Sequence, residues 1–169
     1  MDTRNRLAPS RDSGFTLIEV CFALLIFGAM ATVFATVFPV VLKSSTGTGR
    51  YSQASSLGLH KLDQIRAAGY AQAQTPASLV QQGVADSGTA QGNSVPFTVD
   101  FTAVDHLASG GGFLPSGSRG SISVVDYNSI NSSVPTGNVL SVTATILWTG
   151  GGSTDGQYSV STLIAKVEH

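Results

Sequence analysis

Residues 15–42 form a stretch of 28 residues that contains one charge, Glu19. About 20 apolar residues suffice for a helix to cross the hydrocarbon of a bilayer, and this stretch is longer than that. Such a run must be buried, either in lipid or against other apolar helices. Glu19 is then the anomaly, because a carboxylate at the centre of a membrane helix costs on the order of 2.5–3.5 kcal/mol and usually marks a partner or a function. A free amine is one natural partner. If the chain were cut after Gly14, Phe15 would expose an α-ammonium one helical turn from Glu19, and the same carboxylate could pair instead with the terminus of a neighbouring copy.

The flanking residues give the run a direction. Residues 1–14 hold Arg4, Arg6 and Arg11 against Asp2 and Asp12 and show no apolar periodicity. Basic residues favour the cytoplasmic side, so this end stays inside and the C-terminus is exported. Three readings fit: a leader removed at Gly14, an uncleaved membrane anchor, or a secretory signal cut after Ala29-Met30-Ala31. The apolar run continues through residues 33–42, and Glu19 sits badly in a signal peptide's apolar segment; both count against the third reading.

A short basic segment ending in Gly14, followed by Phe15-Thr16-Leu17-Ile18-Glu19-Val20 and a long apolar helix, resembles the type IV pilin and pseudopilin family. The resemblance covers residues 1–45. It implies a prepilin peptidase that cuts after Gly14 and methylates the new Phe15 amine, and an inner-membrane platform that assembles subunits with the guidance of Glu19. Small residues (Ala23, Gly28, Ala29, Ala31, Ala35) would let such helices approach copies of themselves. Pro39 lacks an N–H and crowds the preceding turn, which predicts a kink or locally melted stretch. Major pilins often carry a proline slightly earlier in this helix.

Beyond Lys43 the composition turns polar. Residues 44–49, Ser-Ser-Thr-Gly-Thr-Gly, form helix poorly, each glycine costing about 1 kcal/mol relative to Ala, and a fray or hinge is expected there. Helical periodicity returns over residues 51–68, with Ala54, Leu57, Leu62 and Ile65 on an apolar face, Lys61, Asp63, Gln64 and Arg66 as polar positions, and Gly69 as C-cap. Residues 57–70 resemble the amphipathic half-helix of minor pilins of the PilV type. Residues 71–94 read as a connecting loop with a short helix near 77–82. Alternation then marks strands at 95–101, 122–127, 140–148 and 157–167, the last two as an antiparallel hairpin.

These readings predict an α+β fold in which a long N-terminal helix packs its outer half on an antiparallel sheet of about four strands. The expected divisions are a leader (1–14), a membrane or filament-core helix (15–42), an amphipathic half with a hinge at 44–49 (43–69) and an exported β domain (70–169).

Charged residues make up 11% of the chain, and residues 70–169 carry two basic against six acidic side chains, net −4. That balance argues against a broad phosphate-binding surface and hence against direct nucleic-acid binding. Lys43, Arg50, Lys61 and Arg66 are spread along a helix. Cys21 is the sole cysteine, so no intrachain disulfide is possible.

No catalytic constellation is expected, and no cofactor. His60, His106 and His169 are far apart and lack neighbouring ligands at metal spacing, so no metal is expected either. Asp105-His106 reads as a polar loop before it reads as an acid–base pair. The glycine clusters at 110–112 and 150–152 lack the Lys and Ser/Thr of a phosphate loop, and Asp155 lacks the oxygen ligands of a calcium loop.

What the resemblance implies is a structural subunit of a type IV pilus, minor in kind, held in the bacterial inner membrane as a single-pass precursor and embedded in lipid until it joins other pilin subunits. A type II secretion pseudopilin is the alternative. A membrane-tethered β domain that binds a ligand without polymerising is the second alternative; it would keep residues 1–14 and be indifferent to Glu19.

Overall fold

A computed structural model of the chain describes residues 15–110, 114–149 and 155–167. The expected leader with Gly14, the interiors of the two glycine-rich loops and His169 lie outside the described residues. The architecture is α+β: a long N-terminal helix and a four-stranded antiparallel sheet. The chain divides into two compact units, with the boundary between Leu42 and Lys43.

Helix α1 (Leu17–Ala68) begins with the apolar run. Among the described residues, the apolar side chains of residues 17–42 are exposed on every side of the helix. Its hydroxyls are satisfied locally: Thr32 Oγ1 donates to the Ala29 carbonyl at 2.8 Å, and Thr36 Oγ1 to that of Val33 at 2.9 Å. Pro39 lies inside the helix, which runs through it without interruption. No N–H is available there for the Ala35 carbonyl four residues back.

The expected fray at 44–49 is not there. These residues are helical, with Thr46 and Thr48 donating their hydroxyls to the carbonyls of Lys43 (3.0 Å) and Ser44 (3.1 Å). Local propensity is a weak term, and it yields here to the turns that follow, where Ala54, Leu62 and Ile65 are buried in the core. Gly69 ends the helix with φ +88°, its N–H reaching the Ile65 carbonyl at 3.1 Å.

Residues 70–94 hold more structure than a loop: α2 (Tyr70–Ala73), α3 (Pro76–Gln81) and a bridge from Gln91 to Thr98. The four-residue α2 is too short to leave a periodic signal. The sheet is a meander of β1 (Phe97–Asp100), β2 (Arg119–Asp126), β3 (Val139–Trp148) and β4 (Gly156–Ala165) in that order, each antiparallel to its neighbour. Phe97, Val99, Ile122, Val124, Leu140, Val142, Ala144 and Ile146 point into one core with the helix residues. The other face carries Thr98, Ser121, Ser123, Thr143 and Thr145, as period-2 alternation requires.

Two glycines admit aromatic rings onto the sheet. A Cβ on Gly120 would stand 2.2 Å from Phe101, and one on Gly156, the cross-strand partner of Trp148, 2.2 Å from the indole. Gly58 admits the sheet to the helix, since a Cβ there would meet Val160 at 3.0 Å and Tyr158 at 3.2 Å.

Candidate functional site

The motif residues sit at the start of α1. Thr16 is its N-cap: its carbonyl accepts from the N–H of Val20 at 3.3 Å, and its Oγ1 accepts from the N–H of Glu19 over a long 3.4 Å. Thr16 and Glu19 have the spacing of a capping box, in which a carboxylate at the third helical position serves the backbone at the cap. A carboxylate in a first turn is also favoured by the helix dipole, by about 0.3–1 kcal/mol. The spacing is legible in the sequence as Thr-x-x-Glu, a signal separate from the charge of Glu19. Phe15 is 82% exposed and Glu19 is exposed too, so neither is committed to a partner within the described residues of its own chain.

The apolar helix behind them meets the physical requirement for a membrane span. It contains an 18-residue window of mean hydropathy 2.4 with none of that window buried. Gly28 is the one glycine in this segment, and nothing lies within 4 Å of where its Cβ would be. By contrast Gly58, further along the same helix, is explained by contacts within the chain.

In the unit from Lys43 onward, Lys61, one of the polar positions of the amphipathic pattern, is buried at 1% exposure. Its ammonium lies 3.0 Å from Asp105 Oδ2, donates to the Val84 carbonyl at 3.2 Å and sits 5.3 Å from the Phe101 ring centroid. The Asp105 contact is an ion pair set off the hydrogen-bond direction, so charge more than geometry holds it. Asp105 therefore serves Lys61 and not its neighbour His106, which occupies a left-handed turn at φ +54° and is exposed. The side chain of a lysine is long enough to cross the helix–sheet interface and find oxygen at the far end, a reach that helical periodicity does not register.

An open groove of about 850 Å³ runs between the helix residues 45–60 and residues 105–107. Ser52, Ser56, His60 and His106 line it, and His60 shares its ring Nε2 with Gln64 at 3.1 Å. Among the described residues no three His, Cys, Asp or Glu side chains gather where a metal ion would bind. Of the basic side chains on α1, Lys61 is buried, and Arg66 is tied to Thr162 at 2.8 Å and Asp63 at 3.1 Å.

Comparison of the chain with protein-family models, with curated proteins and with solved structures finds no match.

Proposed function

We propose that this chain is a subunit of a type IV pilus-like filament, minor in kind, made as a membrane precursor and assembled through its N-terminal helix. The observation that carries the proposal is the pairing of two features in one helix. Residues 17–42 are apolar on every side and exposed among the described residues, and they hold a single carboxylate four residues after Phe15. Lipid or identical helices can cover the apolar surface, whereas an amine can answer Glu19 in a medium that cannot hydrate it.

In this reading Gly14 is the last leader residue and Phe15 becomes a methylated N-terminus. The helix then leaves the inner membrane for a filament core, where it packs against copies of itself with Gly28 at a close approach. The Glu19 carboxylate neutralises the Phe15 ammonium of a neighbouring subunit. The outer α+β unit remains outside the cytoplasm and forms the filament surface. A type II secretion pseudopilin uses the same assembly chemistry; loss of surface pili, as opposed to loss of protein export, in a deletion strain separates the two.

The test is the N-terminus and intact mass of the protein recovered from membranes of its native host. A chain that starts at methylated Phe15 supports the proposal. A chain that starts at Met1 supports a plain anchor, and one that starts at Thr32 a secreted domain; either removes the basis for assembly through Glu19.

A further inference from the structure

Helix α1 crosses a stretch that its own residues support poorly. Residues 44–49, Ser-Ser-Thr-Gly-Thr-Gly, hold no strong helix former, and glycine is the poorest after proline. Thr46 and Thr48 return their hydroxyls to the carbonyls of Lys43 and Ser44, and side-chain bonds of this kind to the preceding turn weaken and bend helices. In most helices of a folded unit, packing makes good such a deficit.

Here the packing begins only beyond the stretch. Tyr51 meets Trp148 of β3 edge to face, with ring centroids 5.1 Å apart, Gln53 Oε1 accepts from the Leu114 N–H at 3.0 Å, and Ala54 is the first buried residue of the helix. Before them, none of residues 43–49 is buried, and nothing among the described residues, beyond its own helix backbone, lies within 4 Å of where a Cβ on Gly47 would stand. Ser45, Thr48 and Gly49 border the open groove, so space flanks them there. Gly58 is the opposite case in the same helix: Val160 and Tyr158 stand 3.0 and 3.2 Å from where its Cβ would be, and opening there would break the helix–sheet contact.

We propose that residues 44–49 are a tether that is helical at rest and opens by itself, while the fold from Tyr51 onward stays closed. Opening gives up backbone bonds and no buried side chain. A helical residue advances about 1.5 Å and an extended one about 3.3 Å, so the opened stretch is longer by about 10 Å. Helix remains on either side, and the stretch re-forms without a new nucleus.

The stretch follows directly on Lys43, the first residue of its unit. An element that opens there lets the folded unit shift on the chain that carries it without losing a core contact. Stability then falls into two levels along one helix, residues 44–49 opening alone and residues 58–65 only with the sheet. The device works the same way whether residues 15–42 are covered by lipid or by other helices, so it does not rest on the filament reading.

The test is amide hydrogen exchange of the full chain in detergent micelles, resolved by residue and expressed as protection factors, which remove the sequence dependence of a free amide. Amides 46–50 are expected to be at least about a hundredfold less protected than amides 58–65. Low urea should speed exchange at 58–65 and leave 46–50 unchanged, because the tether exposes little surface when it opens. Gly47→Ala should raise protection at 46–50 by about fivefold. Gly47→Pro should remove that protection. It should also lower the folding equilibrium constant, read from Trp148 fluorescence in urea, by no more than the protection factor that amides 46–50 have in the unsubstituted chain. Equal protection of the two sets, exchange at 46–50 that rises with urea alongside 58–65, or a larger loss in Gly47→Pro would overturn the proposal, since the stretch would then open only with the sheet.

Discussion

The ammonium of Lys61 lies 3.0 Å from the carboxylate of Asp105, with the lysine 1% exposed and the aspartate 20%. Removing one partner from such a pair strands a buried charge, whereas replacing the buried member with an apolar chain of similar shape removes the desolvation cost as well. Asp105→Ala is therefore expected to cost about 2 kcal/mol, held below the roughly 3–5 kcal/mol of fully buried pairs because solvent reaches the aspartate. Lys61→Met should cost about 1 kcal/mol, since Asp105 can rehydrate and only the Val84 carbonyl loses its donor. Urea unfolding in detergent, followed by the fluorescence of Trp148, the single tryptophan, gives the order. A larger loss for Lys61→Met would mean that the pair contributes little and the methylene packing most.

The glycines of the outer unit separate three kinds of surroundings. Gly47 has open space where its Cβ would be, so Gly47→Ala should stabilise by about 0.5–1 kcal/mol provided residues 44–49 are helical in solution. No gain there would restore the hinge that composition suggests. Gly58→Ala should gain nothing, because Val160 and Tyr158 stand at 3.0 and 3.2 Å. Gly120→Ala drives a Cβ into Phe101 and should cost about 1–3 kcal/mol. Chemical denaturation of the three variants ranks them.

Gly28 provides a contrast in a different assay. With nothing among the described residues within 4 Å of where its Cβ would stand, beyond its own helix backbone, Gly28→Leu should leave the urea midpoint of the unit that begins at Lys43 unchanged, within about 0.5 kcal/mol. If helices of neighbouring subunits meet there, the same change should cut filament yield in a piliation assay. Normal filaments would show that Gly28 faces lipid or a gap.

What was legible in the sequence was what periodicity and composition encode. The alternation of Leu140, Val142, Ala144 and Ile146 gave β3 its buried face, and the spacing of Ala54, Leu62 and Ile65 gave the helix face that covers it. The continuity of residues 44–49 was not legible, because propensity speaks for each residue alone and packing of the next turns decides the helix. Lys61 was not legible as a core residue because its partner, Asp105, is distant in the chain and no pattern links them. Strand ends moved by a few residues: β2 starts at Arg119, three residues before the alternation is visible, because Gly120 gives no apolar signal while Phe101 covers it. At the candidate site, the apolar run and Glu19 are plain in the sequence, and the Thr16 cap is legible in the same motif as Thr-x-x-Glu.

Glu19 has two roles open to it, and one substitution separates them. As the third helical residue after Thr16, it can support the cap, a task that Gln performs nearly as well because a capping box accepts either. As the partner of a Phe15 ammonium in an apolar filament core, it must carry charge, and Gln cannot. Glu19→Gln should therefore preserve membrane insertion and leader removal while reducing assembled filament by at least about tenfold, since an unpaired ammonium in an apolar contact costs several kcal/mol. Glu19→Asp keeps the charge on a shorter arm and should assemble in part. The measurement is filament recovered by shearing, against total processed protein in the membrane, for Glu19→Gln, Glu19→Asp and Glu19→Ala beside the unsubstituted chain. Full assembly of Glu19→Gln, with failure only in Glu19→Ala, would assign the residue to capping and leave the amine to another partner.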